Sequence, residues 1–199
     1  EKKVSQIIFE HIDSQAKLIK EFLNTINKGS FVFIGNSTTI RTLDQFSGHH
    51  NQINILGNYI TRGIDGITSA ALGMAYTHNK DNFLITGDIS LFYDSNAFHI
   101  LENVHINLTI IVINNNGGQI FSRLPYAKEN LAQFREFWIT PINTKIKDLA
   151  KLFNLKYYLI KKFNIDKDIL LEKGVKIFEV EINENVDKKF LNNFNSTLV

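Results

Sequence analysis

Two apolar stretches that each end in small polar residues constrain the fold of this chain more than any other feature. Residues 83–86 (Phe-Leu-Ile-Thr) and 108–113 (Leu-Thr-Ile-Ile-Val-Ile) have the continuous apolar character of strands buried on both faces. Between them, four apolar residues recur at the spacing of one helical face: Ala97, Ile100, Leu101 and Val104. The sequence therefore predicts a right-handed β-α-β unit whose two strands end at the same edge of a parallel sheet.

The residues that follow these two strands have the chemistry of a metal and phosphate site. Asp88 offers a carboxylate oxygen, Asn115 offers an amide oxygen, and Gly117 can turn its carbonyl inward because it has no Cβ. Three such oxygens suit magnesium, which keeps positions for water and substrate phosphates. Backbone N–H groups after both strands are expected to be free for phosphate oxygens: those of Ile89, Ser90, Gly117 and Gly118. Each half alone is typical of a turn, but the pair in one unit predicts a metal–diphosphate site.

Composition excludes several other classes of function. The chain has 199 residues, of which 44% are hydrophobic and 21% charged, as expected for one large globular domain. A net charge of +2 does not support a nucleic-acid partner, and the lack of cysteine excludes disulfides, iron–sulfur clusters and thiol catalysis. No apolar run approaches the roughly 20 residues of a membrane span, and no signal peptide is recognisable, so we expect a cytoplasmic location. Since the chain opens at Glu1 and not at Met, we also expect an upstream part.

The remaining patterns predict an α/β fold with a doubly wound, mostly parallel sheet of about six strands. Further strands are predicted at residues 31–34, 52–56, 156–160 and 175–182. Helices are predicted in two pieces over residues 4–27, then at 37–46, 67–78, 129–136, 146–153 and 164–173, with a frayed helix at 187–199. The chain divides into a helical lead-in (1–29), a metal- and diphosphate-binding domain (30–185) and a tail (186–199).

Three further places suggest functional side chains, each with a structural alternative. Ser37 and Arg41 share a face at a helix N-terminus that follows a strand, which is either an anion site or an N-cap with a solvated Arg. Ile64 is a large apolar residue in a tight glycine loop at the sheet edge, and it is a buried loop anchor unless the resemblance described below gives it another role. Ile120 and Phe121 follow the metal loop and either wall the site from water or pack in the core.

These residues also carry a family resemblance. Gly87-Asp88-Ile89-Ser90, followed by Asn114-Asn115, resembles the thiamine diphosphate motif. Residues 114–122 (Asn-Asn-Asn-Gly-Gly-Gln-Ile-Phe-Ser), followed by Leu-Pro, are similar to the 2-succinyl-5-enolpyruvyl-6-hydroxy-3-cyclohexene-1-carboxylate synthases, and residues 63–66, 93–97 and 137–141 support this. The resemblance runs from about residue 31 to 182 and covers only the family's C-terminal, diphosphate-binding domain.

The resemblance implies a transferase of menaquinone biosynthesis that depends on thiamine diphosphate and on magnesium or manganese. Such an enzyme decarboxylates 2-oxoglutarate and adds the succinyl unit to isochorismate. The implied metal ligands are Asp88, Asn115 and the Gly117 carbonyl. The implied cofactor-binding residues are Ile64, Gly66, Asp88, Ile89, Ser90, Asn115, Gly117 and Gly118, with Ile64 supporting the bent cofactor. The implied catalytic residues are Ile120 and Phe121, and the implied substrate-binding residues are Ser37, Arg41 and Arg62.

The resemblance also implies partners that this chain lacks. In this superfamily a Glu from an N-terminal pyrimidine-binding domain of the partner subunit activates the cofactor, so we expect a homo-oligomer and an inactive isolated chain. One departure concerns the substrate: the family pattern Asn-Arg-Gly-x-Ser-Gly-Ile-Asp-Gly has Arg where this chain has Tyr59. Arg62 would replace it only if the loop is rearranged. Two alternatives therefore stay open, namely another thiamine diphosphate-dependent lyase or carboligase and a catalytically silent domain of the same fold.

Overall fold

The computed structural model describes residues 2–11, 13–48, 52–58, 60–128, 131–161 and 165–198. Within these residues the chain forms an α/β fold around one six-stranded, all-parallel sheet with the strand order β2-β1-β3-β4-β6-β5. The strands are β1 Phe31–Ile34, β2 Asn54–Leu56, β3 Asn82–Gly87, β4 Leu108–Asn114, β5 Lys156–Ile160 and β6 Val175–Glu181. The predicted fold class is confirmed, and the predicted strands lie within one or two residues of the observed ones.

The helices cover both faces of this sheet. They are α1 Lys2–Glu10, α2 Gln15–Thr25, α3 Thr38–Phe46, α4 Ile67–Thr77, α5 Asp88–Tyr93, α6 Ile146–Leu152, α7 Lys167–Leu170 and α8 Glu184–Leu198. Shorter 3-10 segments lie at Ser95–Glu102, Gln119–Arg123 and Pro125–Lys128, and a π-helical turn lies at Arg135–Ile139. Every helix of the described residues is too short or too polar to cross a lipid bilayer.

The central strands supply two cores because their side chains alternate between the faces. On β3, Leu84 packs with α4 and α6 on one face, whereas Phe83 and Ile85 pack with α2 and α7 on the other. On β4, Ile110 and Ile111 divide in the same way. This alternation follows the two-residue period of a strand and explains why the apolar runs are continuous in the sequence. It also confirms that the sheet is doubly wound.

The crossover between β3 and β4 differs from the predicted single amphipathic helix. It consists of α5 and a 3-10 helix, which has three residues per turn and not 3.6. Because of this tighter winding, Ile100 is 48% exposed, while Phe98, which lies outside the predicted stripe, is 1% exposed and packs in the core. The β-α-β unit is therefore confirmed. Of the predicted buried face, Ala97, Leu101 and Val104 are partly buried and pack against the core, and only Ile100 is wrong.

The two ends of the chain pack together at the periphery of the domain. Phe190 of α8 is buried in a small cluster with Ile7, Ile8 and Phe46, and its ring lies edge-on to that of Phe46 at 4.9 Å. The C-terminal helix, expected to be frayed, is continuous over Glu184–Leu198, and its Phe190, Leu191 and Phe194 pack in this apolar cluster. The predicted helix at 164–173 is shorter, Lys167–Leu170, and starts where the side chain of Asp166 accepts the Asp168 N–H.

Candidate functional site

A cavity of about 980 Å³ lies at the carboxyl ends of β1, β3 and β4. The strand order changes direction between β1 and β3, and open α/β sheets bind ligands at such switch points. Gly87 pairs with Ile113 at the ends of β3 and β4, so the two motifs that follow these strands meet at one edge. The cavity brings together all the predicted site residues except Gly66: Ser37, Arg41, Arg62, Ile64, Asp88, Ile89, Ser90, Asn115, Gly117, Gly118, Ile120 and Phe121.

Asp88 is the central polar group of this edge. It is the first residue of α5 and is only 4% exposed. Its Oδ2 accepts the backbone N–H of Gly117 at 2.8 Å, which joins the loop after β3 to the loop after β4. Burial raises the pKa of this carboxyl to about 6, although backbone N–H donors from Gly117 and Ile89 act in the opposite direction. A bound cation would favour the ionised carboxylate and offset the cost of its burial.

Gly117 has a conformation and a neighbour that exclude any side chain. Its φ is +117°, in the region that favours glycine. A Cβ at this position would overlap the carbonyl oxygen of Ile139, at the end of the π-helical turn. The carbonyl of Gly117 accepts the N–H of Gln119 at 2.8 Å and retains a second lone pair. The loop after β4 is therefore shaped by the close approach of the 135–139 segment.

The backbone N–H groups of this loop are not free, contrary to the expectation from the sequence. The Gly117 N–H is donated to Asp88, and the Gly118 N–H is donated to the Ile139 carbonyl at 2.6 Å. The reason is that the loop folds back on the 135–139 segment, which the sequence alone did not place beside it. Ile89 and Ser90 lie in the first turn of α5, where N–H groups have no carbonyl acceptor within the helix, and the Ile89 N–H is directed at the Asp88 carboxylate.

The donor set at this edge fits a hard divalent cation. Asp88 and the nearly buried Asn115 supply a carboxylate and an amide oxygen, and Gly117 supplies a carbonyl oxygen within the same loop. Among the described residues no group of three or more His, Asp and Glu side chains could hold a metal. A metal in this cavity would consequently be held by a mixed set of oxygens that carries a single negative charge. A bound phosphate would then balance the remaining positive charge of the cation.

Replacing Gly117 is expected to disable this site. In Gly117→Ala the new Cβ would collide with the Ile139 carbonyl, and the alanine would have a disfavoured positive φ. The loop must therefore leave the position in which Gly117 donates to Asp88. We expect the midpoint of thermal unfolding to fall and Mg²⁺ affinity to drop about tenfold or more. Gly73→Ala in α4 is the matched control, because its backbone is helical and a Cβ there would meet nothing within 4 Å. Equal losses in both variants would contradict this account.

Ser37 and Arg41 line the cavity from the start of α3. Ser37 precedes α3 with a φ of +70°, which is uncommon for a residue other than glycine, and its side chain makes no capping hydrogen bond. The structure therefore does not support the alternative of an ordinary N-cap. Arg41 donates from Nη1 to the Ser37 carbonyl at 2.6 Å, so its guanidinium is held near the start of the helix while the side chain stays exposed.

The loop 60–66 also contributes to the wall. Arg62 and the half-buried Ile64 line the cavity, and Arg62 has a positive φ of 51°. Gly66 has a φ of +69° and is the residue before α4, outside the cavity lining. Tyr59, where the resemblance predicts an Arg, lies outside the described residues. Of the two positions considered for the substrate-binding Arg, the structure therefore places Arg62 at the cavity.

Ile120 and Phe121 line the cavity from the 3-10 segment Gln119–Arg123, which directly follows the loop after β4. Neither belongs to the buried core, and the ring of Phe121 lies edge-on to that of Trp138 at 5.5 Å. Core packing is therefore not the role of this pair. Together with the 135–139 segment, they form an apolar rim beside the polar end of the cavity.

Two further residues of the site did not emerge from the sequence. Asn36, directly after β1, is nearly buried, lines the cavity and donates to the carbonyls of Gly63 and Asn58, so it holds the loop that carries Ile64. Gln119 donates from Nε2 to the Asn115 carbonyl at 3.1 Å, and its buried Oε1 has no partner among the described residues. The signal for Asn36 was available, because it follows a buried strand as Asn115 does.

Comparison with known proteins shows a distant relation to one enzyme. No protein-family model matches the chain. It is similar to 2-succinyl-5-enolpyruvyl-6-hydroxy-3-cyclohexene-1-carboxylate synthases, including that of Desulfitobacterium hafniense, with 34% identity over 181 residues, 88% of this chain and 32% of the relative. The synthase of Gloeothece citriformis is 34% identical over 200 residues, 96% of this chain and 34% of the relative.

The synthase of Leuconostoc citreum is 40% identical over 131 residues, 65% of this chain and 24% of the relative. The chain is therefore homologous to these synthases over most of its own length. It spans about a third of the length of the first two relatives.

Proposed function

We propose that this chain is the part of a thiamine diphosphate-dependent synthase that binds the metal and the diphosphate. The observation that carries the proposal is the hydrogen bond of 2.8 Å between Asp88 and Gly117, which joins the two predicted halves of the motif at one edge of the cavity. Homology to the carboxylate synthases supports the same assignment. We assign the binding domain to residues 30–185, with a lead-in at 1–29 and a tail at 186–199.

Each wall of the cavity would have a distinct task. Asp88, Asn115 and the Gly117 carbonyl would hold Mg²⁺ or Mn²⁺, whose charge would bind the diphosphate. Diphosphate oxygens would also meet the first turn of α5 at Ile89 and Ser90. Gly118 would line the same edge without donating, because its N–H is donated to Ile139. Ile64, in the same loop as Gly66, would support the bent shape of the cofactor.

The other residues of the cavity would serve the substrates. Ser37 and Arg41 would bind a carboxylate, with Arg62 as a second cation from the opposite loop. Ile120 and Phe121 would exclude water from the reacting carbon. When bound, thiamine diphosphate supplies the chemistry that stabilises a carbanion, and the protein supplies binding and orientation.

We further propose the reaction and the partners of the complete protein. It would decarboxylate 2-oxoglutarate and add the succinyl unit to isochorismate, a step of menaquinone biosynthesis in the cytoplasm. An N-terminal pyrimidine-binding domain, contributed by a second copy in a homo-oligomer, would complete the cofactor site. The test is calorimetry of the complete assembly with thiamine diphosphate and Mg²⁺, followed by a product assay with both substrates. Absence of cofactor binding in that assembly would refute the proposal.

A second candidate is a related thiamine diphosphate-dependent lyase or carboligase with another acceptor. The observation that favours it is Tyr59 at the position of a substrate-binding Arg, since Tyr cannot form a bidentate pair with a carboxylate. Cofactor binding with product from other acceptors, but none from isochorismate, would select this candidate. Failure to bind the cofactor would instead select a catalytically silent domain of the same fold.

Arg41→Ala is expected to raise the KM for a carboxylate substrate by roughly ten- to a hundredfold, because a hydrogen bond between charged groups contributes about 1.5–3 kcal/mol. Cofactor affinity should stay nearly unchanged, since Arg41 lies in α3, after β1, whereas the proposed metal ligands follow β3 and β4. Steady-state kinetics and a cofactor titration of the complete enzyme measure the two effects separately. Arg41→Lys, which keeps the charge but loses the planar fork, should be intermediate. Equal loss of cofactor affinity would show that Arg41 has a structural role.

A further inference from the structure

A buried carboxylate outside the cavity connects the two segments that would grip opposite parts of the cofactor. Asp94 follows α5 directly and is only 7% exposed. Its Oδ2 accepts the backbone N–H of Ser69 at 2.6 Å, and its Oδ1 accepts the Ser69 hydroxyl at 2.8 Å. Both carboxylate oxygens are therefore directed at one residue of α4, which lies 25 positions earlier in the chain.

These hydrogen bonds replace a cap that α4 lacks. The residue before this helix is Gly66, which has no side chain to accept an N–H from the first turn. Ser69 is the third residue of the helix, and its N–H has no acceptor within the helix. A carboxylate at this end also favours the helix dipole. Asp94 thus acts as an N-cap supplied by a different element.

The contact matters because of what each element carries at the cavity. Ile64 lies three residues before the start of α4, in the loop that lines the cavity. Asp88, Ile89 and Ser90 form the first turn of α5, whose last residue is Tyr93. Asp94 and Ser69 therefore bind the far end of the six-residue α5 to the beginning of α4. Through these short spans, the two hydrogen bonds help to set the distance between Ile64 and Asp88, together with Asn36, which holds the same loop from the end of β1.

We infer that Asp94 is a positioning residue, which holds the loop that carries Ile64 at a fixed distance from Asp88 and the first turn of α5. One ligand with an apolar ring and a diphosphate can then contact both segments. This inference rests on the proposed function. It predicts a split in the effect on ligand affinity. The affinity for a ligand that spans both segments should depend on Asp94, whereas the affinity for a ligand that reaches only the proposed metal ligands should not. A merely structural role for Asp94 predicts no such split.

The experiment compares two ligands in the complete enzyme. We expect Asp94→Asn, which removes the charge and one acceptor, to weaken the binding of thiamine diphosphate with Mg²⁺ about tenfold. The binding of inorganic pyrophosphate with Mg²⁺ should change less than about twofold, because it reports on the metal edge alone. Calorimetry measures both affinities, and thermal unfolding records the stability of the variant.

Two further variants protect the test against a folding defect. Ser69→Ala removes only one hydroxyl at an exposed position, so it should fold normally and show the same split at a smaller size, about threefold. In an Ile64→Ala background, Asp94→Asn should cause little additional loss of thiamine diphosphate affinity, because the group that it positions is already absent.

Three outcomes would overturn the inference. Equal weakening of thiamine diphosphate and pyrophosphate would show that Asp94 only stabilises the fold, and unchanged binding of both would show that the contact is dispensable. Full additivity with Ile64→Ala would show that the two residues act independently. A wild-type enzyme that binds pyrophosphate but not thiamine diphosphate would refute the proposed function itself, and that result is distinguishable from the other three.

Discussion

Asp88→Ala is expected to abolish the Mg²⁺-dependent binding of thiamine diphosphate in the complete enzyme, with a loss of affinity of about a thousandfold. Asp88 would be the only charged member of the three proposed metal ligands, and its Oδ2 also holds the Gly117 loop. The variant would lose a ligand and release the neighbouring loop at the same time. Because the metal and the diphosphate bind together, both should be lost. Calorimetry with and without Mg²⁺ measures the effect.

Asp88→Asn separates the charge from the hydrogen bond. Its amide oxygen can still accept the Gly117 N–H, so the loop should keep its position while metal affinity falls. The effect of this substitution on the stability of the metal-free protein can also be predicted. Burial raises the pKa of Asp88 from 3.8 to about 6, so without a metal this group favours folding below pH 4 and loses that contribution as the pH rises through 6. The metal-free Asn variant should therefore unfold at pH 7 no more easily than the wild type.

Stability without the metal is the control for this prediction. An Asn variant that folds normally but no longer binds the cofactor would assign the loss to the missing charge. Unchanged affinity for thiamine diphosphate in Asp88→Ala would refute the metal site. A large drop in the unfolding temperature of the Asn variant at pH 7 would contradict the destabilising role of the ionised carboxylate and would point to a structural function.

The sequence was sufficient to predict the sheet and the edge that carries the site. Strands buried on both faces have continuous apolar runs, and polar residues directly after such runs must lie at the carboxyl edge of a parallel sheet. Asp88, Asn115 and Gly117 could therefore be brought together without knowledge of any contact between them. The same reasoning would have found Asn36, which follows β1.

Contacts between distant segments could not be predicted in this way. The loop after β4 uses its N–H groups on Asp88 and on Ile139, and the second of these partners belongs to a π-helical turn without a clear periodic pattern. The pairing of Asp94 with Ser69 depends on how α4 and α5 pack, which no local spacing encodes. One residue of the predicted crossover face was wrong for a related reason, since the 3-10 winding leaves Ile100 exposed and buries Phe98 instead.

The 199-residue chain by itself is expected to bind thiamine diphosphate weakly and to catalyse no carboligation. All the proposed metal and diphosphate ligands lie within the chain, but the proposed function leaves the pyrimidine half of the cofactor without a partner among these residues. Beside the cavity, Phe137 is 65% exposed, and Trp138 lies next to it on the same turn. Exposed aromatic groups of this kind are typical of interfaces, so we also expect the isolated chain to associate with itself.

Supplying a pyrimidine-binding domain, either fused upstream or added in trans, should restore both cofactor affinity and carboligation. A fused domain should restore them at lower protein concentration, because a linker replaces a bimolecular association by an intramolecular one. Phe137→Ser should weaken the self-association of the isolated chain while leaving the metal edge intact, since that side chain lies outside the cavity lining. Sedimentation and a cofactor titration measure both effects. A strictly monomeric chain that binds thiamine diphosphate tightly would show that the cofactor site is complete without a second domain, and the proposed architecture would then be wrong.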